Sequence, residues 1–312
     1  MSQRTLTRGR LAEHPAWQRA LGSDGLAARL VLPIIVSDAV EERERGEGAG
    51  GLERISVTEA VREARAAAVA GLAGLLVFGC ADRKDETALI ASQRDHVVPR
   101  AVRAIKDAAP DLAVATDVCV CAYTAHGQCV LFAGGGADIA GTLARLGEIA
   151  VVHAEAGADL LIPSGMLDGT VSAVREALGT EHASVPVAAM AKLESGLYRT
   201  HGIVVGKVRV AERAVPLLDP IDGAAARARV ERDLAAGADA VVVKPGLVAL
   251  DLVALFSRSM DRPVIAFHTS DEHAIFALDE DADGPAAERE VVGASRRAGA
   301  DIVISYGARD IA

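Results

Sequence analysis

The sequence predicts an α/β protein: a (β/α)8 TIM barrel over residues 29–312, preceded by an N-terminal arm over residues 1–28. Three observations predict it. Eight short apolar runs recur along the chain, at 30–36, 74–79, 112–118, 159–163, 185–191, 239–244, 263–268 and 301–306, with helix-forming stretches between them. Eight βα units in about 280 residues is the size and pattern of that barrel. One helix-to-strand joint also repeats four times, as Ala70-Gly71, Ala156-Gly157-Ala158-Asp159, Ala236-Gly237-Ala238-Asp239 and Ala298-Gly299-Ala300-Asp301, each leading into an apolar run. Glycine just past a helix takes the left-handed conformation that turns the chain back to the sheet. The alternative, a doubly wound sheet, would carry a Gly-x-Gly-x-x-Gly fingerprint or a phosphate loop opening a helix after its first strand, and no such run opens a helix there.

The elements follow in order. Residues 1–28 are polar and basic around one anchor, Trp17, and suit an arm or short helix lying on another surface. The run at 30–36 is the first strand, 41–51 a charged, glycine-rich loop, and 58–70 a helix. Val241-Val242-Val243, three valines in a row, are as expected of a parallel strand covered on both faces. One connection, 194–222, holds no long helical period. A long connection after a barrel strand is usually a lid or binding loop.

Of the 312 residues 51% are hydrophobic and 3% aromatic, so the core is built from small aliphatic side chains. The net charge of -10 speaks against nucleic acid and anionic membrane as partners. No apolar run is long enough for a membrane span, and no apolar segment follows the N-terminal arginines as a signal peptide would require. Three of the four cysteines fall within eleven residues, which suits a metal or thiol role in a reducing cytoplasm better than a secreted disulfide framework.

The chemistry gathers where strands end, because a barrel brings all strand C-termini to one face. Strand three ends Thr116-Asp117-Val118-Cys119, and strand four at Ser164. Strand five ends in Lys192 and strand six in Lys244-Pro245-Gly246. Strand seven leads into His268-Thr269-Ser270 and strand eight into Ser305-Tyr306. A lone lysine at a strand end often snorkels into water. Two on adjacent strands repel each other's charge, which favours neutral amines able to form Schiff bases; a carboxylate or phosphate clamp is the other role open to either. Cys119, Cys121 and Cys129 offer three thiolates and an open position, the pattern of a catalytic zinc, with His126 between them as a further ligand or hydrogen-bond partner. The alternative is ordinary buried thiols. Cys80 stands alone and is read as structural.

These stretches resemble the porphobilinogen synthase (5-aminolevulinate dehydratase) family. The likeness is carried by Thr-Asp-Val-Cys-Val-Cys-Ala-Tyr-Thr-Ala-His-Gly-Gln-Cys at 116–129, Pro-Ser-Gly-Met-Leu-Asp-Gly at 163–169, Ala-Lys at 191–192, Val-Lys-Pro-Gly-Leu at 243–247 and Ala-Gly-Ala-Asp-Ile-Val-Ile-Ser-Tyr at 298–306. The resemblance implies a homo-oligomeric barrel whose N-terminal arm embraces a neighbour. It implies condensation of two 5-aminolevulinates to a pyrrole with loss of water, both held as Schiff bases on Lys244 and Lys192. It also implies Zn2+ on the three cysteines serving the substrate bound second, with Asp117 and Ser164 in the pocket, and Ser270 and Tyr306 holding the first substrate's carboxylate. The chain departs from the family on the lid. His201 stands where an arginine would clamp the second carboxylate, while Arg213 is kept. Leu217 replaces a glutamine, Gly165 an aspartate and Ala122 a proline. An imidazole does not substitute for a bidentate guanidinium. A paralogue with the same lysine and zinc chemistry but another second substrate is therefore a second expectation, and a catalytically silent zinc-binding barrel a third.

Overall fold

The computed structural model describes residues 9–23, 25–46, 51–206, 213–277 and 283–312. Eight parallel strands form the barrel: β1 Leu30–Ser37, β2 Gly74–Cys80, β3 Ala113–Val118, β4 Leu160–Pro163, β5 Ala188–Lys192, β6 Ala240–Lys244, β7 Val264–Phe267 and β8 Ile302–Ile304. Hydrogen-bonded neighbours run β4-β3-β2-β1-β8-β7-β6-β5. A parallel bridge between Leu161 and Val187 joins the two ends of that path and closes the ring. All eight expected runs are strands, and each is buried almost end to end. Small side chains let the strands close tightly: a methyl on Gly74 would collide with the Ala113 carbonyl.

Helices α2 (Val57–Val69), α3 (Val97–Ala108), α4 (Ile139–Glu155), α5 (Thr170–Leu178), α7 (Gly223–Ala235), α8 (Leu250–Ser259) and α10 (Gly284–Ala298) wrap the ring. The glycines of the repeated joint do turn left-handed, with φ of 76° at Gly71, 100° at Gly157 and Gly237, and 114° at Gly299. The aspartate that follows has a role its sequence only hinted at. Asp159, Asp239 and Asp301 each accept from the backbone N–H of the neighbouring strand, at Val114 (2.8 Å), Val187 (3.0 Å) and Val264 (2.9 Å). Each also returns its own N–H to that residue's carbonyl, at 2.7, 2.8 and 2.7 Å. The repeat thus staples adjacent strands at the barrel's N-terminal face.

That face is covered by the segment before β1. Helix α1 (Pro15–Gly22) carries Trp17, 1% exposed, whose indole donates to the Asp159 carbonyl at 3.2 Å. His14 and Lys106 pair with the Asp159 carboxylate, and Arg10 with Asp239. Residues 1–8 of the arm lie outside the described residues, as do 207–212 of the lid.

One expectation needs correction, and two details are added. The charged stretch after β1 is partly a hairpin, Arg43–Arg45 against Glu53–Ile55, because Arg43 is clamped by Glu53, Glu59 and Glu63. The lid contains a short helix, α6 (Arg199–Val204). Among the described residues β8 runs on into turns.

Candidate active site at the barrel mouth

Strand register places the two lysines side by side. Lys244 and Lys192 are paired residues at the ends of β6 and β5. Lys244 is 7% exposed, with its Nζ 3.7 Å from the ring centre of Phe267, 5.8 Å from Phe78 and 5.7 Å from Tyr198. Lys192 Nζ lies 5.2 Å from the centre of the same Tyr198 ring and donates to the Ser164 carbonyl at 3.5 Å. Tyr198 therefore forms a wall common to both amines. Its hydroxyl donates to the carbonyls of Leu193 (2.8 Å) and Lys244 (3.0 Å), which fixes the ring across the two strand ends. Sequence reasoning passed over Tyr198; the signal was an aromatic residue six positions after Lys192 in a chain with few aromatics.

Asp117, at the end of β3, sits between the lysines and the cysteines. It keeps a little contact with solvent but is enclosed by protein on all sides, and that burial raises its pKa above the usual carboxylate value. The hydrogen bond from Ser164 and the charges of Lys244 and Lys192 pull the other way. A carboxyl so balanced is suited to hold or pass a proton. Ser164 is held by the turn after β4. Arg229, 5% exposed, donates to Met166 O (2.9 Å), Leu167 O (3.1 Å), Asp168 (2.9 Å) and Asp233 (2.9 Å) and so fixes that turn from behind. A methyl on Gly165, in the same turn, would lie 3.5 Å from Cys129 Cβ.

The sulfurs of Cys119, Cys121 and Cys129 lie within 4.8 Å of one another, with Cys119 and Cys121 3.2 Å apart. Hydrogen bonds with Cys121 and Cys129, added to burial, push the Cys119 thiol well above its usual pKa. A cation would relieve this crowding by taking the sulfurs as thiolates, and three soft donors fit zinc or another thiophilic ion. His126 is not part of this cluster among the described residues. Its Nδ1 accepts from Gln128 N and its ring packs edge-on against Phe132, so it shapes the loop between the cysteines. Gln128 in turn accepts from Ala214 N at 2.8 Å, tying the cysteine loop to the lid.

The lid is strapped across the mouth. Thr200 binds the Asp271 carboxylate through its N–H (3.1 Å) and hydroxyl (2.7 Å). His201 Nδ1 is 3.4 Å from Tyr306 Oη, and its ring lies edge-on to Phe78 at 4.6 Å. Cys80, buried at the end of β2, donates to Val204 O at 3.7 Å, the local packing role expected of it. Ser270 opens the short helix α9 (Ser270–Ala274) and is 3% exposed, and burial raises the Tyr306 pKa. Arg213 forms a two-pronged pair with Glu194, at 3.0 and 3.4 Å. The structure thus brings Lys192, Lys244, Asp117, Ser164 and the three cysteines to one end of the barrel. It sets His201 beside Tyr306, on the side of the mouth walled by Phe78.

Residues 7–312 match the family model for delta-aminolevulinic acid dehydratase. Proteins of that name from Archaeoglobus fulgidus and Escherichia coli are 34% and 33% identical, over 91% and 97% of this chain and 89% and 95% of their own length. The crystal structure of delta-aminolevulinic acid dehydratase (porphobilinogen synthase) from Toxoplasma gondii, in complex with the reaction product porphobilinogen, aligns with a TM-score of 0.86 at 28% identity. That match covers 97% of this chain and 89% of the other. Dihydropteroate synthase from Stenotrophomonas maltophilia, at 13% identity and a TM-score of 0.54, shares the barrel fold alone.

Proposed function

The chain belongs to the delta-aminolevulinic acid dehydratase family and is a lyase of that type, and we propose that it condenses two molecules of 5-aminolevulinate to a pyrrole with loss of water, on Lys244 and Lys192. The observation that carries this reading is the pairing of the two lysines in register beside Asp117 and the three-sulfur cluster.

Each amine adds to the ketone carbon of a substrate. The new C–N bond forms as the carbonyl oxygen takes a proton, and water leaves to give the Schiff base. Asp117, hydrogen-bonded to Ser164 and facing both lysines, is the group suited to move those protons. Ser270 and Tyr306 take the carboxylate of the substrate on Lys244. Cys119, Cys121 and Cys129 would hold Zn2+, which would supply Lewis-acid chemistry to the substrate bound second. Arg213 serves the second substrate from the lid. Among the described residues no helix is long and apolar enough to cross a membrane; a cytoplasmic site of action is part of the same proposal. Assembly into a homo-oligomer through the arm, residues 1–28, belongs to the same proposal.

A second reading is favoured by the lid. Arg213 is engaged by Glu194, and Leu217 packs on the core where the family resemblance implies glutamine. A family member with these features takes a different second partner onto the same lysine chemistry. Purified, zinc-loaded protein given 5-aminolevulinate separates the two: a pyrrole product supports the first reading, and its absence with one lysine still modified supports the second.

A further inference from the structure

Ser270 Oγ is buried, the residue being 3% exposed, and makes no hydrogen bond. A buried hydroxyl left unpaired costs about 1–3 kcal/mol, so such a group points to something that binds it. What surrounds it narrows the choice. Asp271, the next residue, anchors Thr200 by its backbone and hydroxyl. That tether carries His201 over the end of β8, where its Nδ1 is 3.4 Å from Tyr306 Oη. The contact of the His201 ring with Phe78 holds the imidazole plane, and Phe78 is also a wall of the Lys244 pocket. His201 is therefore held twice, once through Asp271 and once through Phe78, in a place that touches the Lys244 side of the mouth.

A phenol has one proton to give. If a bare Nδ1 took it, a carboxylate arriving beside Ser270 would meet only lone pairs on Tyr306 Oη. If Nδ1 carries the proton instead, it fills an acceptor site on Tyr306 Oη and leaves the phenol O–H to turn toward the ligand. We propose that His201 is a positioning residue for the carboxylate of the molecule bound at Lys244, donating from Nδ1 to Tyr306 so that the Tyr306 and Ser270 hydroxyls both point at that carboxylate. This moves His201 from the second substrate's clamp, where sequence comparison set it, to the first substrate's. It rests on the reading of Lys244 as a Schiff-base residue.

The test is borohydride trapping at Lys244 with two ketones, 4-oxopentanoate, which has the carboxylate, and 2-pentanone, which lacks it, read by intact mass and peptide mapping. His201→Phe keeps a ring against Phe78 but has no N–H. It is expected to raise the 4-oxopentanoate concentration for half-labelling about tenfold, the loss of one hydrogen bond acting through a charged partner. Labelling by 2-pentanone is expected to be unchanged. In a Tyr306→Phe background the same substitution should have no further effect, because its route has been removed. Unchanged labelling by 4-oxopentanoate overturns the proposal, as does an equal loss with both ketones or an additive loss in the double variant. Wild-type protein that neither ketone labels at Lys244 overturns the lysine reading itself.

Discussion

Three histidines are buried, and they make stability depend on pH in a way that can be calculated. His153 and His268 are each 1% exposed and His96 is 5% exposed. Burial lowers their pKa values from 6.5 to about 3, about 4 and about 4 respectively. Below pH 6.5 the unfolded chain binds protons that the native imidazoles refuse. Stability from these groups is therefore complete above about pH 7 and lost as pH falls toward the folded-state values. At pH 5, about 1.5 units below the unfolded pKa, the loss is about 2 kcal/mol for each imidazole. His153→Gln isolates one of the three. Glutamine is neutral at every pH and can still bond Thr116, which His153 Nδ1 meets at 3.0 Å. Urea unfolding of both proteins at pH 7.5 and 5.0 gives the comparison. Asp117, Asp233 and Glu272 work the other way, since burial raises their pKa values and acid relieves that cost. The readout is accordingly the difference between wild type and variant. The variant should lose about 2 kcal/mol less than wild type on acidification. An identical loss in both proteins would refute the reasoning.

Other perturbations probe the site. Cys129→Ser removes one of three sulfurs, and zinc affinity by competitive chelation should fall by at least the about 10–100-fold that loss of an outer-shell partner costs. Gly79→Ala would drive a methyl into Tyr123 Oη and to 2.7 Å from Val98 Cγ2. Overpacking of that kind costs about 1–3 kcal/mol, read as a drop of several degrees in Tm. Glu194→Ala frees Arg213 from an ion pair whose members are 50% and 35% exposed. A pair so exposed is worth at most about 1 kcal/mol, so KM for 5-aminolevulinate should fall by up to about fivefold; a rise would count against Arg213 as a substrate contact.

Much of the barrel was legible because its signals are local. Each strand is a run of aliphatic residues, and each Ala-Gly joint needs a left-handed turn that glycine supplies. The lysines and cysteines were legible for the same reason: a barrel converts the end of a strand into a position at the mouth. What escaped depends on contacts between residues far apart in sequence. Thr200 and Asp271 meet across 71 positions, and His201 and Tyr306 across 105. Nothing local to either partner marks such a contact, so His201 could be aligned with a family position by counting along the lid but not located in the mouth. The hairpin at 43–55 escaped because its strands are too short for periodicity and are held by the Arg43 carboxylate clamp. The aspartates of the joint were visible as a repeat, while their bonds to the next strand became plain only with the register.

The most direct test of the central claim is borohydride reduction of the zinc-loaded protein with 5-aminolevulinate, read by peptide mapping beside the product spectrum. The account predicts substrate mass on both Lys192 and Lys244, together with a pyrrole. Protein that gains no mass at either lysine would contradict it, whatever else the barrel binds.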